Sequence, residues 1–258
     1  MLYQTHARIH LENIRFNLAG IRQAVGPQRK ILVAVKANGY GHGAVEVSRL
    51  AESSGIDWLG VATVPEGLEL RRAGIKLPIL KFSPAFPEEL PAALENDLTL
   101  TVASRQNIDD LQAACRARAA NIQSAAHLKL DTGMGRIGCA PEEAPALAAY
   151  IKNECPNLRL TGVFTHFPVS DEADPTYTRA QIERFKIASE AIQATLGRKL
   201  DLVHAANSGA VLGHEPAWLD MVRPGIMVYG FYPDPGTPRS IPLKPGLSFL
   251  TRVSFIKK

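Results

Sequence analysis

An α/β fold built as a (β/α)8, TIM-like barrel is predicted by three observations. Eight short runs rich in aliphatic and β-branched residues recur along the chain, most of them are separated by stretches with helical spacing, and the glycine pattern of a dinucleotide-binding sheet is missing. The competing architecture, an open doubly wound sheet for a dinucleotide, wants GxGxxG after its first strand. The GYGHG of Gly39 to Gly43 has neither that spacing nor an acidic residue at the end of a following strand.

Thr5 to Leu11 alternates polar and apolar residues and reads as a short strand. Glu12 to Val25 places Ile14, Leu18 and Ile21 at helical spacing before Gly26-Pro27 stops it. Ile31 to Val35 is apolar without alternation, as a strand covered on both faces requires, and it ends by presenting Lys36 ahead of a glycine-rich turn with Tyr40 and His42. A helix from Ala44 to Ser54 follows. Strands at Trp58 to Thr63, Pro78 to Ser83 and Leu98 to Ala103 then alternate with helices at Pro65 to Ala73, Pro87 to Glu95 and Arg105 to about Ala120. Strands at Ala125 to Gly133, Leu158 to Phe167 and Leu200 to Ser208, separated by helices at Glu142 to Lys152 and Tyr177 to Leu196, bring the count to seven. Met221 to Gly225 makes the eighth.

The composition changes after Tyr229. FYPDPGTPRSIPLKPG holds five prolines, too many for an element interior, and reads as a linker. GLSFLTRVSFIKK then reads as one strand with Phe249, Thr251, Val253 and Phe255 on one side. A lone strand cannot bury its own face, so pairing with Thr5 to Leu11 is expected. The resulting division assigns 1–11 to a strand of a second β domain, 12–235 to the barrel, and 236–258 to a linker and the first strand of a truncated C-terminal β domain.

The 258 residues are 46% hydrophobic and 21% charged, enough for a substantial core. A formal charge of +4, without a basic run, gives no footprint for nucleic acid. Cys115, Cys139 and Cys155 have neither disulfide-framework nor metal-ligand spacing, so no metal is expected and a reducing compartment is. The N-terminus is broken by charge and no apolar run reaches 18 residues, so a cytoplasmic protein without a membrane anchor is the expectation.

In a barrel the ligand site lies at the C-terminal strand ends, with phosphate usually held after the seventh and eighth strands. Those ends carry Lys36, Tyr40 and His42; Asp131 to Arg136; His166; His204, Asn207 and Ser208; and Arg223, Gly225 and Ile226. Each has a plain structural account, and Asn207-Ser208-Gly209 reads equally as a helix cap. Their convergence on one face favours function. A phosphate seat plus a strand-end lysine, whose amine becomes a better nucleophile when desolvated, points to pyridoxal phosphate held covalently. If Arg223 meets the pyridine nitrogen, it cannot hand over a proton, which confines the chemistry to the α-proton. Lys129 either lies on the surface or points inward near Arg136; inward, the pair is reconciled by Asp131, by a neutral lysine, or by a carboxylated one.

VAVKANGYGHG, LKLDTGMGRIG, GVFTHF, HAANSG and MVRPGIMVYG, in that order, closely resemble the alanine racemases, pyridoxal-phosphate enzymes with an N-terminal barrel and a C-terminal β domain. The resemblance implies two-base α-proton exchange between L- and D-alanine. Lys36 would hold the cofactor and serve as the base for the D-enantiomer. Tyr40 would contact the phosphate with Ser208 and the backbone of Gly225 and Ile226. Arg136 would bond the cofactor's phenolic oxygen and meet the substrate carboxylate, and Lys129 would be the carboxylated lysine. His166 would support Arg223 at the pyridine nitrogen, and Asn207 and Tyr229 would lie near the phosphate. The family's second base is a tyrosine from the partner subunit of a homodimer, at the start of the C-terminal domain. The expectation is therefore that this chain lacks that base and racemises weakly or not at all. Racemisation of serine or a broader set of amino acids, decarboxylation, and a non-catalytic pyridoxal-phosphate-binding protein are the alternatives.

Overall fold

The computed structural model describes residues 4–118 and 123–257. Its strands are β1 (His6–Ile9), β2 (Lys30–Ala34), β3 (Trp58–Val61), β4 (Ile79–Lys81), β5 (Leu98–Val102), β6 (Ser124–Lys129), β7 (Leu158–Phe164), β8 (Leu202–His204), β9 (Met221–Val222) and β10 (Leu247–Leu250). β2 to β9 form one parallel sheet in the spatial order β8-β7-β6-β5-β4-β3-β2-β9. Its two ends meet: Asp220 N–H donates to Val203 O at 3.1 Å, and Arg223 N–H to Ala206 O at 2.8 Å, so the sheet closes into the expected barrel.

Parallel neighbours need crossovers, and helices supply them. The helix Leu11–Val25 buries Ile14, Leu18, Ile21 and Val25, one stripe of a 3.6-residue period. Further helices run Ala44–Ser53, Val64–Arg72, Leu90–Glu95, Arg105–Arg118, Ala144–Glu154 and Thr176–Leu196. The expected continuation of Arg105–Arg118 to Ala120 lies outside the described residues. Alternation within the strands divides the core. Ile31, Val33 and Val35 join the large cluster with helix residues such as Ile14 and Leu18, while Leu32, Leu80, Leu202 and Met221 pack separately with Trp58 and Phe82. Gly60 of β3 makes room for this second layer, because a Cβ there would drive into the Phe82 ring and Leu32.

β1 pairs antiparallel with β10, His6 opposite Leu250 and Ile9 opposite Leu247, as the two orphan strands required. The C-terminal strand is shorter than its sequence pattern: its pairing ends at Leu250, opposite His6 of β1, and 251–257 have no regular structure. The proline-rich stretch is also firmer than a linker. Buried Asn17 donates to Lys244 O (2.8 Å) and Val228 O (3.0 Å) and accepts from Lys244 N (2.8 Å), fastening the stretch to the first helix. Among the described residues no helix is long and apolar enough to cross a membrane.

Candidate active site

The C-terminal end of β2 does not pass into an ordinary helix. Ala37, Asn38, Gly39 and Tyr40 have φ between 50° and 62°, giving one left-handed turn directly after Lys36. For L-residues this conformation costs roughly 1–2 kcal/mol each, so surrounding structure has to hold it. Within the segment, Gly39 N–H donates to Val35 O (2.8 Å), Gly43 N–H to Asn38 O (2.9 Å), and Asn38 Oδ1 accepts from Ala44 N–H (2.9 Å). His42 Nδ1–H donates to Tyr40 O (2.9 Å) and Gly39 O (3.2 Å). The turn places Lys36 and Tyr40 in a cavity of about 470 Å3 at the C-terminal strand ends, with Lys36 Nζ 5.5 Å from the centre of the Tyr40 ring.

One wall is built to receive an anion. Asn207 caps the short helix Ser208–Gly213 by accepting from Ala210 N–H, so the next residues present backbone N–H groups to the cavity. Ser208 Oγ accepts from Gly225 N–H (2.9 Å) and Met227 N–H (3.4 Å), which leaves its own proton to donate. The N–H groups of Gly209 and Ile226 have no protein acceptor among the described residues, and both residues line the cavity beside Tyr40. A Cβ on Gly225 would come within 2.7 Å of Tyr40 Oη, so this position has to be glycine for the tyrosine to reach the cup.

Part of the lining is cationic. Arg223 is buried without a carboxylate; Nη1 donates to His204 Nδ1 (3.0 Å), and Nη2 to Thr165 O (2.6 Å) and Ala205 O (2.9 Å). Among the described residues Nε–H has no protein acceptor, and Arg223 lines the cavity. Burial pulls the guanidinium down to about 9, so it stays charged at neutral pH. Because arginine only donates, His204 Nδ1 accepts, and the neutral ring carries its proton on Nε2, 3.0 Å from His127 Nδ1. His127 therefore holds its proton on Nε2. Burial, then the Arg223 charge, pushes His127 down to about 3 and His204 well below its usual value, which keeps both rings neutral. The same two causes, with Arg136, Lys129 and Lys36 adding to them, hold His166 at about 3.

Lys129 points inward. It is buried, 5.3 Å from the centre of the Phe164 ring, and burial followed by Arg223 lowers its amine to about 8. Asp131 lies beside it. Burial raises that carboxyl, but N–H groups of Gly133, Gly135, Arg136 and Met134 outweigh burial and hold it below the ordinary carboxylate range. Those bonds shape the loop that brings exposed Arg136 to the cavity.

Lys36, Tyr40, Lys129, Arg136, His166, Asn207, Ser208, Arg223, Gly225 and Ile226 thus share one cavity. Tyr229 does not line it. It is fully buried behind Tyr40 (ring centres 5.0 Å apart) and gives its hydroxyl to Ala34 O at 2.8 Å. The side-chain amide of Asn207 is also engaged, with Ser170, Ala210 and Phe167. Sequence reading did not single out Phe82, Phe164 or Asp171, which line the cavity as well. Phe82 carried a faint signal, since Gly60 interrupts an otherwise bulky neighbouring strand.

The family model for the alanine racemase N-terminal domain matches residues 9–233. The alanine racemase of Treponema denticola is 44% identical over 257 residues, covering 98% of this chain and 67% of the relative. That of Cutibacterium acnes is 45% identical over 256 residues, covering 98% and 66%. The chain thus spans about two thirds of the length of these relatives. Among solved structures, the alanine racemase of Clostridium difficile 630 superposes with a TM-score of 0.93 at 35% identity, over all of this chain and 70% of that one. The Bacillus anthracis enzyme, solved with bound L-Ala-P, gives 0.87 at 32%, over 96% and 64%. With a matching barrel and matches over nearly its whole length, the chain belongs to the alanine racemase family.

Proposed function

We propose that this protein interconverts L- and D-alanine by α-proton exchange, with pyridoxal 5'-phosphate bound through Lys36. The observation that carries this reading is the meeting of a strand-end amine, an anion cup and a buried arginine in one cavity. The residues fit the cofactor by their chemistry: Tyr40, Ser208 and the N–H groups of Gly209 and Ile226 suit a phosphate, and Arg223 Nε–H suits a ring nitrogen that accepts. When bound, pyridoxal phosphate supplies the carbonyl for attachment and the conjugated ring that takes up electron density as a Cα–H bond breaks.

The residues divide the remaining work. Lys36 would anchor the cofactor, and its Nζ would take and return the α-proton on one face. Arg223 keeps its proton at neutral pH, which limits how far the ring can act as an electron sink and so disfavours side reactions. Arg136 holds the substrate carboxylate. His166 stays neutral beside Arg223, and Tyr229 backs the Tyr40 ring. Asn207 holds the cup by capping its helix. Lys129, with an amine at about 8, is partly neutral at pH 7, as attack on carbon dioxide requires; the carbamate and the released proton would leave a negative charge facing Arg136.

The second base, for the opposite face, is assigned to the partner subunit of a homodimer. The β1–β10 ribbon, 1–11 with 236–258, is assigned to a second β unit, and the cytoplasm is the proposed location. The experiment is to follow the α-proton of D-alanine in D2O with the cofactor added. Deuterium exchange that depends on Lys36 is expected. Exchange with serine but not alanine would change the substrate, release of carbon dioxide would indicate a decarboxylase, and a bound cofactor with no exchange of any amino acid would leave a binding protein.

A further inference from the structure

The amide directly after Lys36 is held by a carboxylate from a different βα unit. Glu66 Oε1 accepts from Ala37 N–H at 2.7 Å, while Oε2 accepts from Ala62 N–H (2.7 Å) and Thr63 N–H (3.1 Å) at the start of the helix Val64–Arg72. Thr63 and Glu66 form a capping box there, which accounts for Oε2 but not for the reach of Oε1 across to β2. Among the described residues, this is the one hydrogen bond from a side chain outside residues 35–44 to the backbone of the left-handed turn. The hold continues inward. Ala62 O accepts from Ser83 Oγ (3.2 Å), and Ser83 Oγ and O each lie 3.1 Å from Nζ of buried Lys81, which also reaches Pro84 O at 2.8 Å. Ala62 and Ser83 both line the cavity.

We propose that Glu66 is a positioning residue for Lys36: its carboxylate keeps Ala37 to Tyr40 left-handed and so aims the lysine amine into the cavity. A plain helix cap needs no such contact, and a strained turn needs an external restraint. The significance for catalysis rests on the reading that Lys36 carries the cofactor.

The test compares Glu66→Ala with Thr63→Ala, which loses the cap hydroxyl but keeps the Ala37 contact. Amide hydrogen exchange is read at 37–41, and the affinity and visible circular dichroism of added pyridoxal phosphate are read alongside. Glu66→Ala should speed exchange of these amides at least about tenfold, weaken the cofactor about tenfold and alter its dichroism. Thr63→Ala should leave all three within about twofold. If Glu66→Ala does not fold, Glu66→Gln is read the same way, since its NH2 cannot satisfy the N–H groups that both carboxylate oxygens now accept. Indistinguishable behaviour of the Glu66 and Thr63 variants would overturn the proposal. Wild-type protein that takes no cofactor at Lys36 would instead remove the functional reading, and the amide exchange would still decide the role of Glu66.

Discussion

The two ends of the barrel treat their cations differently. At the N-terminal strand ends two arginines are paired with carboxylates: Arg22 meets Asp57 at 2.6 Å, Asp57 also accepts from Ile31 N–H, and Arg159 meets Asp201 at 2.9 Å. At the C-terminal ends, Lys36, Lys129, Arg136 and Arg223 crowd one cavity, and among the described residues none has a carboxylate within 4 Å. Asp171, the one acid among the lining residues, joins none of them in an ion pair. Paired charges at one end fix strands and helices to each other. Unpaired cations at the other raise the free energy of the empty site, and an anionic ligand offsets that cost on binding.

The contrast can be broken at several points. Lys36→Ala should reduce α-proton exchange by about 10⁴-fold or more, measured by NMR in D2O, because it would remove the proposed anchor and base together. Its thermal stability should barely move, since Lys36 is half-buried and, among the described residues, its side chain makes no hydrogen bond. Ser208→Ala should weaken pyridoxal phosphate about tenfold in a fluorescence titration, because the cup loses a donor and Gly225 N–H loses its acceptor.

Acid should act through the rings beside Arg223. His127 and His166 titrate near 3 in the folded chain and near 6.5 when unfolded, so the unfolded chain binds more protons between those values. Stability is therefore greatest above about pH 6.5 and falls as pH drops toward 3, by up to roughly 1.4 kcal/mol per pH unit for each ring. Urea unfolding across this range should show the slope, and His127→Gln should flatten it. The smallest effect belongs to the other end. Arg159→Ala breaks an exposed pair and should cost under about 1 kcal/mol, leaving exchange unchanged.

Much of this was legible in the chain, and the losses have physical reasons. The strand runs and their helices show through because both faces of the sheet are buried, so Ile31 to Val35 needs no alternation to be read. β9 is only Met221–Val222 although the sequence runs on in strand-like fashion: Arg223 N–H still reaches Ala206 O and Pro224 O still accepts from Ala34 N–H, but proline has no N–H with which to continue the ladder. KANGYGHG announces a turn through its glycines. Its left-handedness at Ala37, Asn38 and Tyr40 is invisible, because L-residues seldom adopt positive φ unaided and the contact of Ala37 with Glu66 comes from a distant part of the chain. Thr63-x-x-Glu66 is a readable cap, but its contact with Ala37 depends on the neighbouring of β2 and β3. The link from Arg223 through His204 to His127 likewise joins residues 96 positions apart at its ends, and only strand order brings them together.

The most direct test of the central claim, that the cationic end of the barrel is a pyridoxal-phosphate site anchored at Lys36, is peptide mapping by mass spectrometry after adding the cofactor and reducing with borohydride. A single adduct on Lys36 is the predicted result. Folded protein with Lys36 unmodified, or with adducts spread over exposed lysines such as Lys76 and Lys199, would contradict it.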